Sequence, residues 1–210
     1  MYLPAHFRED DPARLHAAIE AAPLGTLVTH GPDGLAASPV PMLHDRAAGP
    51  HGTLLGHLAR ANPQWKGVAA GAPALAIFMG PDAYVSPAWY PGKAEHGKVV
   101  PTWNYVAVHA RGALTFFDDP ARLLALVARL TDRHEAGRPA PWKVSDAPAD
   151  YVEAQLRAIV GFELRVEALE GKWKLSQNRS EADRAGVADG LQREGDADVA
   201  ALVRGGRSGP

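Results

Sequence analysis

The hydrophobic positions change period several times along the chain, and each change marks an element. Leu15, Ile19 and Ala22 recur at helical spacing behind Asp11-Pro12, a pair suited to an N-cap and a first helical position, and the stripe stops at Pro23. From Gly25 the period falls to two. Residues 26–29 predict a strand, Gly31-Pro32-Asp33-Gly34 a turn, residues 35–43 a returning strand and residues 53–58 a third. Pro39 and Pro41 in the second strand cannot donate to a ladder, which places them on an edge or on a locally unpaired side. Asn62-Pro63 predicts a short helix carrying Trp65, Val68 and Ala69. Residues 74–79 read as a buried strand that Gly80-Pro81-Asp82 turns back into residues 83–86. A proline-rich loop over 87–101 leads to a strand over 105–117, and Asp119-Pro120 repeats the helix start ahead of Leu123, Leu124, Leu126, Val127 and Leu130, the strongest amphipathic pattern here. A second proline-rich loop, 139–148, precedes a helix over 150–159. Residues 160–169 then alternate, Phe162, Leu164 and Val166 against Glu163, Arg165 and Glu167. Beyond Asn178 the pattern reads as two polar helices and a fraying, glycine-rich end. Strands in hairpin order with interspersed helices predict an α+β domain built on an antiparallel barrel.

Composition narrows the classes of function. At 210 residues and 46% hydrophobic content, one core and one domain are expected. A net charge of −2 excludes a molecule coated in positive charge for nucleic acid, though a local basic patch stays open. Without cysteine there are no disulfides, iron–sulfur clusters or thiol zinc sites. The first ten residues carry no basic, then apolar, leader, and no apolar run reaches membrane-spanning length, so a cytoplasmic protein without a membrane partner is expected.

Three segments carry chemistry. Residues 100–112 place Trp103, Asn104 and Tyr105 in succession behind Pro101, an irregular loop passing into a strand, with flat apolar walls and few polar groups. That is the make-up of a groove for a planar, polar-edged small molecule. Residues 56–65 join a strand end, Arg60 and an Asn-Pro helix start, a combination able to hold a phosphate; the plainer alternative is that Asn62 caps the helix and Arg60 is a surface charge. Residues 171–179 are rich in donors after Trp173, or else form a solvated strand end. The nine histidines lack metal-ligand spacing, no Gly-x-Ser-x-Gly elbow surrounds a serine, and no Gly-x-Gly-x-x-Gly or Walker loop occurs.

These segments resemble the PaiB-type family of FMN-binding negative transcriptional regulators. The resemblance rests on Met1-Tyr2-Leu3-Pro4 with His6-Phe7, the stretch from His57 to Trp65, Ala83-Tyr84-Val85-Ser86-Pro87 with Trp89-Tyr90, Val100-Pro101-Thr102-Trp103-Asn104-Tyr105 with His109 and Gly112, and Lys174-Leu175-Ser176-Gln177-Asn178. It implies an antiparallel split β-barrel with peripheral helices over residues 1–191; residues 192–210 lie outside the resemblance and are expected to form a C-terminal helix and flexible tail. It further implies a homodimer with FMN at the subunit interface. By that analogy Ser38, Val40 and Pro41 flank the isoalloxazine, His57 and Leu58 the ribityl chain, and Arg60 and Asn62 the phosphate. Trp103, Asn104, Lys174, Ser176 and Gln177 form the opposing wall, contributed by this chain or by its partner. DNA enters as a partner through the resemblance alone, since no helix-turn-helix or basic stripe is visible. The alternative is a flavin-dependent oxidoreductase (flavin reductase, pyridoxamine-phosphate oxidase-like or haem-degrading), with His57, His109 or Tyr105 as proton donors.

Overall fold

A computed structural model describes residues 1–205. Its strands are β1 (Arg8–Glu9), β2 (Leu24–Gly31), β3 (Gly34–Asp45), β4 (Thr53–Ala59), β5 (Ala72–Val85), β6 (Thr102–Phe117) and β7 (Ile159–Lys174). The helices are α1 (Pro12–Ala21), α2 (Gly92–His96), α3 (Pro120–Glu135), α4 (Ala149–Arg157), α5 (Glu181–Glu194) and α6 (Ala197–Gly205). The strand order is β1-β7-β4-β3-β2-β5-β6, and β7 also pairs with β6. That extra pairing closes β2 to β7 into a ring, the topology of an antiparallel split barrel with peripheral helices. The ring closes because β7 is long enough to serve several neighbours: Ile159–Arg165 pairs with β4, whereas Gly171 and Lys172 pair with β1. Where β6 meets β7, a Cβ on Gly112 would lie 1.8 Å from the Arg165 carbonyl oxygen, so only glycine admits this approach.

Two compact units are distinguished among the described residues, one of Met1–Leu15, Met79–Val108 and the chain from Glu170 onward, the other of His16–Phe78 and His109–Leu169. The second unit buries Leu27, Leu54, Phe78, Leu114, Phe162 and Leu164, the inward positions of strands whose burial alternates. On its flank Leu43, Leu126 and Leu130 pack together with Leu55 and Phe117. The first unit buries Val85, Leu175, Val187, Leu191, Val199 and Val203, and Gly186 and Gly190 lie directly against Trp89.

Several elements differ from their sequence patterns. β5 runs through Gly80-Pro81-Asp82 without turning; β2 pairs with it only over Leu75–Ile77, so Pro81 sits where no β2 ladder needs its missing N–H. The predicted helix after Asn62 is a single 3-10 turn, Pro63–Trp65, and does not reach Val68 or Ala69. β6 starts at Thr102, so Trp103 and Asn104 belong to a strand rather than to a loop. β7 extends through the donor-rich segment to Lys174, and α4 stops at Arg157 to make room for its start. Of the two C-terminal helices read as polar, only α5 is polar on average; α6 is apolar, and together they bury Val187, Leu191, Val199, Ala200 and Val203. Residues 191 and 192, where a domain and a tail were expected to divide, lie within α5. The fraying end expected over 206–210 lies outside the described residues. Among the described residues no helix is long and apolar enough to cross a membrane.

Candidate flavin site

The first seven predicted site residues, Ser38, Val40, Pro41, His57, Leu58, Arg60 and Asn62, fall in the second unit, on β3, on β4 and at the corner after β4. The two prolines of β3 explain the local form. Met42 N–H donates to the Pro23 carbonyl on the β2 side at 2.8 Å, so the alternate positions Pro39 and Pro41 face the other way. On that side β4 pairs only from Met42 onward, and residues 34–41 of β3 have no β4 partner. The expected locally unpaired side is therefore present. Asn62 ties the corner to it: its Nδ2 donates to Ser38 Oγ at 3.0 Å while its Oδ1 accepts from Gln64 N–H at 2.9 Å.

Arg60 is committed within the chain. Its Nε donates to the Arg157 carbonyl at 2.9 Å, Nη2 to the Ile159 carbonyl at 3.1 Å and Nη1 to Asp118 at 3.4 Å. Its own carbonyl accepts from the indole N–H of Trp65 at 3.1 Å, which fixes the corner from the other side. A cavity of about 330 Å³ lies against it, lined by Asp118, Pro120, Leu123, Glu153, Leu156 and Arg157. His57 has a different character. Burial pushes its imidazole below the ordinary histidine range, and its buried Nδ1 has no hydrogen-bond partner among the described residues. Leu58 and Val40 are buried and serve as packing behind the group.

The other five predicted residues, Trp103, Asn104, Lys174, Ser176 and Gln177, fall in the first unit, on β6 and at the end of β7. Asn104 and Ser176 are both buried and bonded to each other, Nδ2 to Oγ at 3.1 Å and Oγ to Oδ1 at 3.2 Å. Ser176 holds φ at 64°, the one non-glycine residue with positive φ among those described. Gln177 folds back on its own turn, accepting from Leu175 N–H at 2.7 Å and donating to the Trp173 carbonyl at 2.5 Å. Lys174 donates to Thr102 Oγ1 and, at 2.5 Å, to the Trp103 carbonyl. Trp103 itself is 53% exposed and meets Tyr84 edge-on at 6.0 Å, a flat apolar surface facing solvent.

Sequence reasoning included Lys172 in the donor-rich segment without naming it as a site residue, and did not connect Tyr2 to this second group. Lys172 sits two residues before Lys174, so extending the period of two past residue 169 puts both lysines on one face of β7. Nothing in the sequence pattern places Tyr2, whose carbonyl accepts from Lys172 at 3.1 Å.

A third feature belongs to the second unit. The outward positions of β3, Leu35, Ala37, Pro39 and Pro41, are exposed and uncharged. Register sets them opposite His30, Val28, Thr26 and Leu24 of β2, of which Leu24 is 64% exposed. The result is an uncharged, largely apolar sheet face, with no Asp, Glu, Lys or Arg at these eight positions, on the side of β3 opposite to Ser38 and Val40.

The family model described as "Putative FMN-binding domain" matches residues 1–168. The chain is 34% identical over 197 residues to the protease synthase and sporulation protein PAI 2 of Bacillus subtilis (strain 168), with 92% of this chain and 90% of that protein covered. Among solved structures it is similar to the FAD and heme binding protein from Mycobacterium smegmatis, at a TM-score of 0.57 and 18% identity over 80% of this chain and 73% of that one. It is also similar to the flavocytochrome Anf3 from Azotobacter vinelandii, at a TM-score of 0.53 and 15% identity over 85% and 75% of the two chains. At these identities the structures speak to the fold, which they share with this chain.

Proposed function

The chain belongs to the FMN-binding domain family, and from that premise we propose that it works as a homodimer holding one FMN per subunit at the subunit interface, as a negative transcriptional regulator of the PaiB type. The observation that carries the site is the unfinished hydrogen bonding of the first group. A buried imidazole nitrogen on His57 and the unpaired side of β3 next to Ser38 both lack partners that a flavin ring edge and ribityl chain supply. These residues fit the group. Ser38, Val40 and Pro41 flank the ring, His57 and Leu58 the ribityl chain, and Asn62 holds the Ser38 hydroxyl in place. Arg60, already donating to two carbonyls and a carboxylate, fixes the corner that presents Asn62. The second group, from Trp103 to Gln177, serves the flavin of the partner subunit. FMN, when bound, supplies one- and two-electron redox chemistry.

The apolar face of β2 and β3 supports the dimer. A second copy of this chain presents the same uncharged face, so the two self-complement without burying an unpaired charge. One further observation favours a catalytic reading: His57, neutral near pH 7, can hold or deliver a proton at Nδ1 beside a reduced ring. Two assays separate the readings. A regulator shifts a promoter fragment with salt-sensitive affinity and leaves reduced nicotinamide unconsumed. An oxidoreductase consumes it at a rate that falls in His57→Gln. The site itself is tested by Asn62→Ala, expected to weaken FMN at least tenfold, or about 1.4 kcal/mol; unchanged affinity removes this corner from the site.

A further inference from the structure

Two lysines in the first unit share one aromatic ring and, among the described residues, have no acidic partner. Lys172 Nζ stands 5.3 Å and Lys174 Nζ 5.9 Å from the centroid of Tyr105. Lys172 is 8% exposed, and its ammonium has one hydrogen-bond acceptor, the Tyr2 carbonyl, with the Tyr2 ring 5.6 Å away. Lys174 has two acceptors, both neutral. Among the described residues neither lysine has a carboxylate within salt-bridge distance. The nearest acid on the same face of β7, Glu170, is engaged by the Met1 ammonium. Across the ladder, Lys172 is registered directly opposite Arg8, another cation. Burial first, then the charges of Lys172 and Arg179, lower the pKa of Lys174.

An ammonium carries three donors, so two on Lys172 and one on Lys174 have no acceptor among the described residues and are available to a ligand. Burying like charges side by side is costly, and the cost is offset when an anion joins them. The aromatic faces of Tyr2 and Tyr105 stabilise the cations without neutralising them. A phosphoryl group, with three acceptor oxygens and nearly two negative charges, fits this arrangement better than a carboxylate, because it can take up all three remaining donors and offset both cations.

We propose that Lys172 and Lys174, paired over Tyr105, form a binding site for a phosphoryl group. This rests on the flavoprotein reading only for the source of that group: FMN's own phosphate, or the phosphate of a separate ligand. The full-length chain discriminates. Flavin-free protein is titrated with FMN and with riboflavin, and FMN-loaded protein with inorganic pyrophosphate, for the native chain and for Lys172→Met and Lys174→Gln. If the source is FMN, native protein prefers FMN to riboflavin by at least tenfold, and each variant loses that preference while riboflavin affinity holds. If the source is a separate ligand, both flavins are indifferent to the variants, and saturable pyrophosphate binding weakens at least tenfold. Should FMN not bind at all, the flavin reading fails, and pyrophosphate titration of the flavin-free chain still reads the lysine pair. Native protein that neither prefers FMN to riboflavin nor binds pyrophosphate overturns the proposal without any variant. So does an equal loss of both flavins in the variants, or a preference for FMN that survives them while pyrophosphate binding is absent or equally unaffected.

Discussion

Ser176 stands in the left-handed region at φ 64°, where a side chain is normally disfavoured, and its hydroxyl is bonded to Asn104. Such a conformation persists only when its surroundings hold it, and here the buried carboxamide does so. Ser176→Ala leaves the Asn104 amide buried without that partner, and a loss of about 1–3 kcal/mol is expected in urea unfolding. A change under about 0.5 kcal/mol would show that the pair contributes nothing to stability. A second residue-scale prediction concerns acid. His44 is buried, its Nε2 3.3 Å from the His51 carbonyl, its ring 4.7 Å from that of His16, and its Nδ1 3.7 Å from Glu20. Burial lowers the pKa of both His16 and His44, and the Arg46 guanidinium bonded to Glu20 lowers the pKa of that carboxylate. A depressed histidine takes up its proton more readily when unfolded. Stability therefore falls as pH drops through about 6.5, the unfolded value, and the lowered carboxylates Glu20 and Asp45 add to the loss only below about 4.5. Thermal melts between pH 7.5 and 5.5 should show a falling midpoint, with a shallower slope in His44→Gln. A flat native profile contradicts the assignment.

At the scale of elements, the ring of strands depends on how closely β6 and β7 meet at Gly112. Gly112→Val places side-chain atoms where the Arg165 carbonyl already lies, with an expected cost of more than about 2 kcal/mol and a lower melting midpoint. An unchanged midpoint would mean that β6 and β7 separate without penalty. Most elements were legible because their periods are clean: Asp11-Pro12 and Asp119-Pro120 both start helices, and the alternation of β2, β4 and β7 matches their burial. The unpaired side of β3 was legible from Pro39 and Pro41. The turn expected at Gly80-Pro81-Asp82 was not, because proline breaks a strand only where a neighbour needs its N–H, and neighbours are set by topology. The helix at Asn62 was overextended for a related reason. Asn-Pro is an equally good start for one 3-10 turn, and the path of the chain beyond Trp65 is decided by packing rather than by the cap.

For the whole molecule, the candidate site was legible as three donor-rich segments, but not as groups in space. The sequence sets Arg60 beside Asn62 and says nothing of Asp118 or the carbonyls of Arg157 and Ile159, about a hundred residues away, that take up its guanidinium. Nor does it reveal that Lys172 and Lys174 converge on Tyr105. The uncharged face carrying Leu24, Val28, Leu35 and Ala37 makes a prediction at this scale. Leu35→Lys puts a charge where a second copy would pack, so sedimentation should show a dimer for the native chain and a shift toward monomer for the variant, with FMN retention falling alongside. A native monomer, or a variant that dimerises as well, contradicts the assigned interface. The most direct test of the whole account is the stoichiometry of FMN, read from quenching of flavin fluorescence during titration of flavin-free protein. Saturation at one FMN per subunit with micromolar or tighter affinity, a binding energy of about −8 kcal/mol or better, is the predicted result. No saturable binding at tens of micromolar would contradict it.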